Sequence, residues 1–307
     1  MTREQKDELV RLLPEAKVSF DESMSGHCSI GAGGPAEAFV VVEKIDELKR
    51  VIEWSSEKNI DYRFWGGGGN MLVRDGGVRG LVIKLGESFS SIEVERESGN
   101  DVFVKAGAAT STAELARWSA DAGLSGLACL AGVRGTVGGN LIMNAATSAG
   151  AIGDAVEELS IIDREGRELT LKRSALHFEY RRLKLPRTAA VIRCLLRLER
   201  TGIDEAKAAL EEAMKKRSEA QPAEAKSLGC VFKNPGKTPA GVLIEDAGLK
   251  GVRVGGARVS TIHANFIVNE GKAASRDITV LMGLVRERVK ENSSVVLEPE
   301  IQIIGDE

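Results

Sequence analysis

Residues 62–73 have the sequence YRFWGGGGNMLV, in which four consecutive glycines separate two short stretches rich in apolar residues. This pattern predicts strands at Tyr62–Trp65 and at Met71–Arg74. Glycines permit left-handed dihedrals and allow several backbone N–H groups to converge on one ligand, a geometry that suits a pyrophosphate. For an isolated glycine run, a flexible hairpin is the alternative interpretation.

The residues that follow these glycines argue against two familiar nucleotide-binding patterns. The Rossmann fingerprint and the P-loop both need a helix directly after their glycines. Here Met71-Leu72-Val73 is typical of a strand instead. If the loop binds a dinucleotide, it therefore does so in another fold.

A second glycine-rich stretch, GVRGTVGGN, occupies residues 132–140 and leads into Leu141–Ala146. We predict a loop there. A free surface loop has no reason to avoid side chains, so this composition indicates close approach of the backbone to a flat or phosphorylated ligand. The presence of two such loops favours the ligand-binding interpretation of both.

The hydrophobic patterns around the loops predict an α+β protein with a helix before the first sheet. The other predicted helices are Ile45–Lys58, Ser111–Ala122, Asp204–Glu219, Ala240–Ala247 and Ser275–Glu291. The other predicted strands are Glu37–Val42, Leu81–Leu85, Ile92–Arg96, Asp101–Ala106, Leu159–Asp163, Glu168–Lys172, Ala189–Glu199, Phe266–Val268 and Glu300–Ile304. A linker-like composition at Pro222–Ser227, after a charged helix, favours a domain boundary near Thr201.

Composition limits the classes of function. Of the 307 residues, 43% are hydrophobic, which is enough for the cores of two or three domains. The 42 basic and 45 acidic residues leave a formal net charge of -3, which argues against a nucleic-acid partner. Apolar runs are interrupted by charged residues before they reach membrane-spanning length, so we expect no membrane insertion.

The cysteines and histidines are scattered along the chain. None of the four cysteines has Cys-x-x-Cys spacing, and the three histidines do not cluster with them. A disulfide framework or a zinc site would need closer grouping, so we expect reduced thiols, no bound metal and a cytoplasmic location.

Seven separate motifs, taken in order, resemble those of the UDP-N-acetylenolpyruvoylglucosamine reductases, the MurB family. They are Ile30–Glu37, Gly68–Gly77, Gly132–Ala145, Gly229–Pro235, Ala240–Ile244, Val259–Phe266 and Leu297–Glu300. The resemblance covers nearly the whole chain. It implies a vanillyl-alcohol-oxidase-type FAD-binding region at residues 1–200, with subdomains of about 1–88 and 89–200. A substrate-binding domain at 201–298 and a C-terminal strand at 299–307 would follow.

The same resemblance implies an oxidoreductase of peptidoglycan precursor synthesis. NADPH would reduce FAD, and the enolpyruvyl ether of a UDP-linked sugar would then be reduced to UDP-N-acetylmuramate. This small-molecule UDP-sugar would be the partner of a monomeric enzyme. The implied FAD-binding residues are Gly66, Gly67, Gly68, Gly69, Asn70, Met71, Gly132, Gly135, Thr136, Gly138 and Gly139.

Three residues match the catalytic positions of the family, namely Arg181, Cys230 and Glu300. The guanidinium of Arg181 would hold the substrate carboxylate, although Arg182 follows directly and both could face solvent. The thiol of Cys230 stands where the family usually has serine, and it would supply a proton. A small buried apolar residue is the alternative for Cys230 and the preferred interpretation for Cys28, Cys129 and Cys194.

Glu300 would assist the developing enolate and the proton relay. Strand alternation would place Glu298 on the same face, so that only motif position separates these two acids. Lys233 and Asn234 resemble substrate-binding residues. Ser260 and His263 are expected to support the domain and not to form a catalytic dyad.

The chain departs from the usual family pattern at Arg134, Asn140, Ala146, Ser148 and Ala220. Lys226 or Arg217 could replace the positive charge that the family often has at the last of these positions. Two other functions remain open from the sequence. They are a flavoenzyme of the same fold acting on a different substrate, and a non-catalytic sensor of nucleotide sugars.

Overall fold

The computed structural model describes residues 1–147, 149–222 and 225–307. The helices in these ranges are α1 (Arg3–Leu12), α2 (Ile45–Glu57), α3 (Thr112–Asp121), α4 (Val137–Ile142), α5 (Ile203–Ala220), α6 (Ala240–Asp246) and α7 (Ser275–Ser293).

The strands mostly follow one another in runs between the helices. In the N-terminal half they are β1 (Lys17–Ser23), β2 (Pro35–Val42), β3 (Tyr62–Trp65), β4 (Met71–Val73), β5 (Val78–Leu85), β6 (Ile92–Ser98), β7 (Asp101–Gly107), β8 (Leu124–Ser125), β9 (Ala146–Thr147) and β10 (Gly150–Ala151). They continue as β11 (Val156–Ile162), β12 (Glu168–Lys172), β13 (Phe178–Glu179), β14 (Arg182–Leu183), β15 (Ala190–Arg200), β16 (Lys226–Cys230), β17 (Arg253–Val254), β18 (Ala257–Val259), β19 (Phe266–Asn269) and β20 (Gln302–Ile304). The predicted α+β class is confirmed.

The chain forms two compact units that interleave along the sequence. Unit 1 comprises Met1–Ser19, Ala38–Gly67 and Gly80–Arg217, and unit 2 comprises Phe20–Glu37, Gly68–Arg79 and Ser218–Glu307. The division thus falls at the C-terminal part of α5, whereas the composition of the sequence favours a boundary near Thr201, just before that helix.

Unit 1 contains a largely antiparallel sheet in the order β12-β11-β15-β7-β6, and β8 also pairs with β15. In the long strand β15, runs of three apolar residues precede Arg193 and Arg197, and the apolar side chains are buried. Helix α3 packs on this core through Leu115, Ala116 and Ala120. Ala206 and Leu210 of α5 belong to the same core, which explains why that helix is counted with unit 1.

A second sheet has the strand order β1-β2-β5-β3. Within it, β3 and β5 are parallel, with Tyr62 opposite Leu81 and Trp65 opposite Lys84. Helix α2 lies between β2 and β3 in sequence and buries Leu48, Val51 and Ile52, which have the i, i+3, i+4 spacing of a single helical face. The first glycine loop begins where β3 ends.

Unit 2 contains the sheet β16-β19-β18-β17 and the long helix α7. Ile278, Leu281, Met282, Val285 and Val289 lie at helical spacing on one face of α7 and are buried. A separate parallel pair, β4 with β20, joins the strand after the first glycine loop to the C-terminal end of the chain.

The carboxylate of Asp75 holds the first turn of α7. Its two oxygens accept hydrogen bonds from the backbone N–H groups of Ser275 (2.9 Å) and Arg276 (3.0 Å). Partial burial raises the pKa of Asp75, but the hydrogen bonds from Arg276 and Ser275, together with the positive charge of Arg276, outweigh burial and leave that pKa below its usual value. The segment after the first glycine loop is therefore tied to a helix 200 residues further along the chain.

Four predictions from the sequence need correction. The second glycine stretch is a loop only as far as Thr136, because Val137–Ile142 forms α4. The last strand begins at Gln302 and not at Glu300, because Pro299 and Glu300 contact the segment after Cys230 and not β4. Strand β16 starts inside the expected linker, and β1, in which only Val18 and Phe20 alternate with polar residues, was not predicted.

In the part of the chain that the structure describes, no helix has both the length and the hydrophobicity needed to cross a membrane. Among the same residues, no group of three His, Cys, Asp or Glu side chains is arranged to hold a metal ion.

Candidate active site

The first glycine loop in unit 1 packs directly against the second. A Cβ atom on Gly67 would lie 2.5 Å from the Cα of Gly135, and one on Gly66 would lie 2.8 Å from the Oγ1 of Thr136. Contacts this short do not occur between real side-chain carbons and a backbone. Gly67 is therefore required by the packing of one loop backbone on the other.

The second loop is held in shape by residues at the start of α3 and by its own amide. Thr112 donates its backbone N–H to the carbonyl of Gly135 (3.1 Å) and its hydroxyl to the carbonyl of Val133 (2.8 Å). The side-chain amide of Asn140 donates to the carbonyl of Arg134 (3.2 Å) and to the hydroxyl of Thr112 (3.3 Å). The departure at Asn140 thus braces the loop from within, and Arg134 takes part through its backbone carbonyl.

The predicted ligand-binding glycines of the second loop differ in what surrounds them. A Cβ on Gly138 would lie 2.9 Å from the Cβ of Ala108, and one on Gly132 would lie 2.9 Å from the side chain of Arg217. A Cβ on Gly139 would have its two nearest protein atoms at 3.4 Å and 4.0 Å, which is ordinary contact. The protein itself gives no steric reason for glycine at 139.

Arg181 lies in a tight hairpin turn between β13 and β14 of unit 1. Its φ of +57° is a left-handed conformation, which costs a residue with a Cβ about 1 kcal/mol or more. Its guanidinium donates to the carbonyl of Ala146 (2.9 Å) and lies 5.5 Å from the ring centre of Tyr180. The neighbouring Arg182 is exposed, so the structure distinguishes the two arginines.

The hairpin is also tied to the segment that follows α4. Asn144 donates its side-chain amide to the carbonyl of Glu179 (3.0 Å) and accepts from the N–H of Gly153 (3.2 Å). Unit 1 therefore brings the Arg181 turn to the residues just after the second glycine loop. The departure at Ser148 lies outside the described residues. Ala146 acts through its backbone carbonyl.

In unit 2, Gly68 and Asn70 connect the remainder of the first loop to two other segments. Ser29 donates both its N–H (3.1 Å) and its hydroxyl (2.9 Å) to the carbonyl of Gly68. The side-chain amide of Asn70 donates to the carbonyl of Glu300 (3.2 Å), and the carbonyl of Asn70 accepts from the N–H of Gln302 (2.9 Å). Met71 continues this contact as the register partner of Gln302 in the β4–β20 pair.

Cys230 ends β16, opposite Phe266 of β19. The pairing slips between Ser227 and Cys230, where Gly229 has a φ of +80°. This irregularity changes the direction of the strand just before the cysteine. Cys230 is half-buried.

The other three cysteines are buried. Burial raises the pKa of Cys28 and Cys129 to about 11 and that of Cys194 to about 12. Such thiols remain protonated and inert at neutral pH. The interpretation of Cys28, Cys129 and Cys194 as small core residues is confirmed.

The segment after Cys230 is bonded to the segment around Glu300. The N–H of Glu300 donates to the carbonyl of Val231 (2.8 Å), and the N–H of Lys233 donates to the carbonyl of Glu298 (2.9 Å). Between these two bonds, Phe232 and Pro299 form an isolated bridge. Glu300 is half-buried, whereas the side chain of Glu298 is 74% exposed. The two acids therefore have different environments, which strand alternation did not predict.

Lys233 and Asn234 both have partners within unit 2. The ammonium group of Lys233 lies 3.3 Å from the carboxylate of Glu298. The side-chain oxygen of Asn234 accepts from the N–H of Ala240 at the start of α6 (2.9 Å). Asn234 thus fixes that helix through its oxygen, and its amide nitrogen is the group it could offer to a ligand.

Ser260 and His263 hold a turn. The hydroxyl of Ser260 accepts from the N–H groups of Ile262 (3.2 Å) and His263 (3.4 Å), and the Nδ1 of His263 accepts from the N–H of Asn265 (3.2 Å). Burial lowers the pKa of His263, which favours the neutral ring that such an accepting nitrogen requires. These contacts support a structural role for both residues.

Asn265 is a residue whose importance the sequence did not reveal. It is 3% exposed, and its side chain bonds to both backbone groups of Phe232. An asparagine directly before the apolar run Phe266–Val268 indicates a buried side-chain amide that makes hydrogen bonds. The sequence does not show which residue is its hydrogen-bond partner.

The chain is 41% identical to the UDP-N-acetylenolpyruvoylglucosamine reductase of Desulfosudis oleivorans, over 94% of this chain and 95% of that protein. It belongs to the UDP-N-acetylenolpyruvoylglucosamine reductase family. The protein of that name from Syntrophomonas wolfei is 34% identical over 98% of this chain and 99% of its own length. Membership in the family identifies an oxidoreductase.

Two family models and one crystal structure agree with this membership. Residues 36–172 match an FAD binding domain, and residues 221–304 match the C-terminal domain of UDP-N-acetylenolpyruvoylglucosamine reductase. The crystal structure of the MurB reductase from Thermus caldophilus has 35% sequence identity and a TM-score of 0.81, covering 94% of this chain and 98% of that one. The predicted fold, an FAD-binding domain followed by a reductase C-terminal domain, is confirmed.

The glycine loops of this reductase fit an FAD molecule. The loops are built from backbone packed on backbone, and both the half-buried Gly139 and the exposed Gly132 present main chain with no side chain of their own. At Gly139, where the protein leaves room for a methyl group, a bound ligand supplies a physical reason for glycine. The residues that would hold the cofactor are those of the two loops.

We expect Gly67→Ala and Gly139→Ala to affect the reductase in different ways. In Gly67→Ala the new methyl group meets the backbone of Gly135, so we expect the apo-protein to lose about 1–3 kcal/mol of stability. In Gly139→Ala the methyl group has room within α4, and alanine favours a helix by up to about 1 kcal/mol. The free energy of unfolding of the apo-protein, measured with denaturant, checks both expectations.

The same pair of variants tests where the cofactor approaches. Gly139→Ala should weaken FAD binding about tenfold or more, the equivalent of about 1.4 kcal/mol, while its apo-protein stays as stable as the parent. Titration of the apo-protein with FAD, followed by flavin fluorescence, measures this. Parental FAD affinity in Gly139→Ala would show that the cofactor does not approach that glycine.

Proposed function

We propose that this reductase uses NADPH to reduce bound FAD and then reduces UDP-N-acetylglucosamine enolpyruvate to UDP-N-acetylmuramate, a step of peptidoglycan precursor synthesis. The proposal includes a monomeric enzyme in the cytoplasm, a compartment that keeps cysteines such as these four in the reduced state. It also keeps residues 1–200 as the FAD-binding region, 201–298 as the substrate-binding domain and 299–307 as the C-terminal segment that carries the catalytic acid.

One observation carries the proposal. Within unit 2, the backbone of Glu300 is bonded to Asn70 of the first glycine loop through its carbonyl and to Val231, next to Cys230, through its N–H. A proton donor, a carboxylate and a cofactor loop are thus fixed to each other by short bonds. A non-catalytic sensor has no need for such an arrangement.

FAD held by residues of the two glycine loops would supply the hydride chemistry, with NADPH as the reductant and the distal carbon of the enolpyruvyl double bond as the position reduced. The electron pair of that bond then moves towards the neighbouring carbon and its carboxylate. The guanidinium of Arg181 would stabilise the developing negative charge with two donors. The thiol of Cys230 would donate its proton to the neighbouring carbon and would regain one from water. Glu300 would assist this proton transfer.

The remaining predicted residues would bind substrate. Lys233 would offer its ammonium group to the diphosphate or the uridine, and Asn234 its amide nitrogen. Arg217 and Lys226 lie against Gly132 and Gly31, respectively, so each runs along a glycine backbone within its own unit. Either could supply the charge that is missing at Ala220.

Anaerobic spectroscopy of the holoenzyme tests the proposal. NADPH should bleach the flavin absorbance, and addition of UDP-N-acetylglucosamine enolpyruvate should restore it with one NADPH consumed per substrate. Reoxidation by air that is rapid without the sugar would instead indicate a flavoenzyme with another substrate. Tight binding of the UDP-sugar without NADPH consumption would indicate a sensor.

A further inference from the structure

The buried amide of Asn265 extends the pairing of β16 and β19 beyond their last register pair. After Cys230 and Phe266, the N–H of Val231 donates to the backbone carbonyl of Asn265 (2.8 Å). The side-chain oxygen of Asn265 then accepts from the N–H of Phe232 (2.9 Å), and its nitrogen donates to the carbonyl of Phe232 (2.8 Å). One side-chain amide thus bonds both backbone groups of Phe232, as a neighbouring strand would.

The other edge of the same segment is bonded to the residues around Glu300. Val231 accepts from the N–H of Glu300, and Lys233 donates to the carbonyl of Glu298. The segment from Cys230 to Lys233 is therefore held from both sides, by Asn265 and by Glu298–Glu300. If the two side-chain bonds from Asn265 are removed, the backbone bond from Val231 to residue 265 remains, but no other residue that the structure describes bonds to the backbone of Phe232 on the β19 side.

We propose that Asn265 is a positioning residue for proton transfer from Cys230. It does not touch the reacting atoms. Its amide fixes Phe232, and through this segment it sets the position of Cys230 relative to Glu300. The inference rests on the proposed function of the site. Three residues are expected to act on the substrate, and Asn265 would be a fourth residue of the site that acts only by positioning the backbone.

The experiment compares the two half-reactions of the holoenzyme by stopped-flow absorbance. In Asn265→Ala, flavin reduction by NADPH should stay within about twofold of the parent. Reoxidation by UDP-N-acetylglucosamine enolpyruvate should slow about tenfold to 10²-fold, since a misplacement of about 1 Å can have an effect of that size. The solvent deuterium isotope effect on reoxidation should rise, because proton transfer becomes the slow step.

A near-isosteric variant gives a second readout. In Asn265→Asp one oxygen still accepts from the N–H of Phe232, but the other can donate to the carbonyl of Phe232 only when the carboxyl is protonated. The reoxidation rate of this variant relative to the parent should therefore rise as the pH falls. The parent carries the same titratable side chains on the bonded segments, so their effects cancel in the ratio. These side chains are His263, Cys230, Lys233, Glu298 and Glu300.

Asn269→Ala is the matched control. Asn269 is a buried asparagine on the same strand, 8% exposed, and its side chain bonds to Ile30, Gly271 and Ala273 but not to Phe232. Its loss should lower the melting temperature without slowing reoxidation selectively.

Three outcomes would overturn the inference. Equal slowing of both half-reactions in the Asn265 variants, or no slowing at all, would leave the proposed function intact and remove the positioning role. Failure of both variants to fold with FAD would show that Asn265 is purely structural. If the parent holoenzyme is not reoxidised by the enolpyruvyl sugar, the proposed function itself fails, and the inference fails with it.

Discussion

Replacement of Cys230 by alanine is expected to slow reduction of the enolpyruvyl sugar by about 10²-fold to 10⁴-fold, the usual contribution of a positioned general acid. Flavin reduction by NADPH should be nearly unchanged, because it needs no proton from this thiol. Cys230 is half-buried, unlike the other three cysteines, and its strand is bonded through Val231 to Glu300. Stopped-flow measurement of the two half-reactions checks this prediction.

Two controls accompany the Cys230 variant. Cys230→Ser restores a proton donor of similar size and should keep most of the activity, since the family usually has serine there. Cys194→Ala removes a thiol that lies in the core of unit 1 and has a pKa of about 12, so it should lower the melting temperature without a selective effect on reoxidation. Equal damage to both half-reactions in Cys230→Ala would mean that the cysteine is structural.

Glu300→Gln should slow reoxidation of the flavin by the substrate by about 10²-fold to 10³-fold, within the range of acid–base contributions. Glutamine has nearly the same shape as glutamate but lacks the carboxylate. The backbone bonds of residue 300 to Val231 and Asn70 do not involve the side chain, so they should be retained. Flavin reduction by NADPH and the melting temperature should change little.

Glu298→Gln tests whether Glu300 differs in function from Glu298, which the sequence alone could not show. The carboxylate of Glu298 is largely exposed and lies 3.3 Å from the ammonium group of Lys233. Exposed ion pairs of this kind contribute about 0–1 kcal/mol, so neither stability nor reoxidation should change measurably. If the two glutamine variants slow reoxidation equally, the catalytic role assigned to Glu300 is wrong.

Much of the fold could be predicted from local patterns. The bounds of β3 and β12 agree residue for residue with the prediction, and those of α2 and α6 agree to within one residue, because alternation and helical spacing reflect the burial of one face. Helix α4 (Val137–Ile142) was not predicted, because it contains glycines and glycine is a poor helix former. There the hydroxyl of Thr136 accepts from the N–H of Gly139 (3.4 Å) at the start of α4, and tertiary contacts outweigh the low propensity.

Motif order in the sequence identified the family and named Arg181, Cys230 and Glu300 as catalytic candidates, because they stand at the family's catalytic positions. It could not show which parts of the chain hold them. The bonds from Asp75 to Ser275, from Asn70 to Glu300 and from Asn265 to Phe232 join residues 200, 230 and 33 positions apart. Residues so far apart influence one another only after the chain has folded, and no local pattern records which buried donor meets which acceptor.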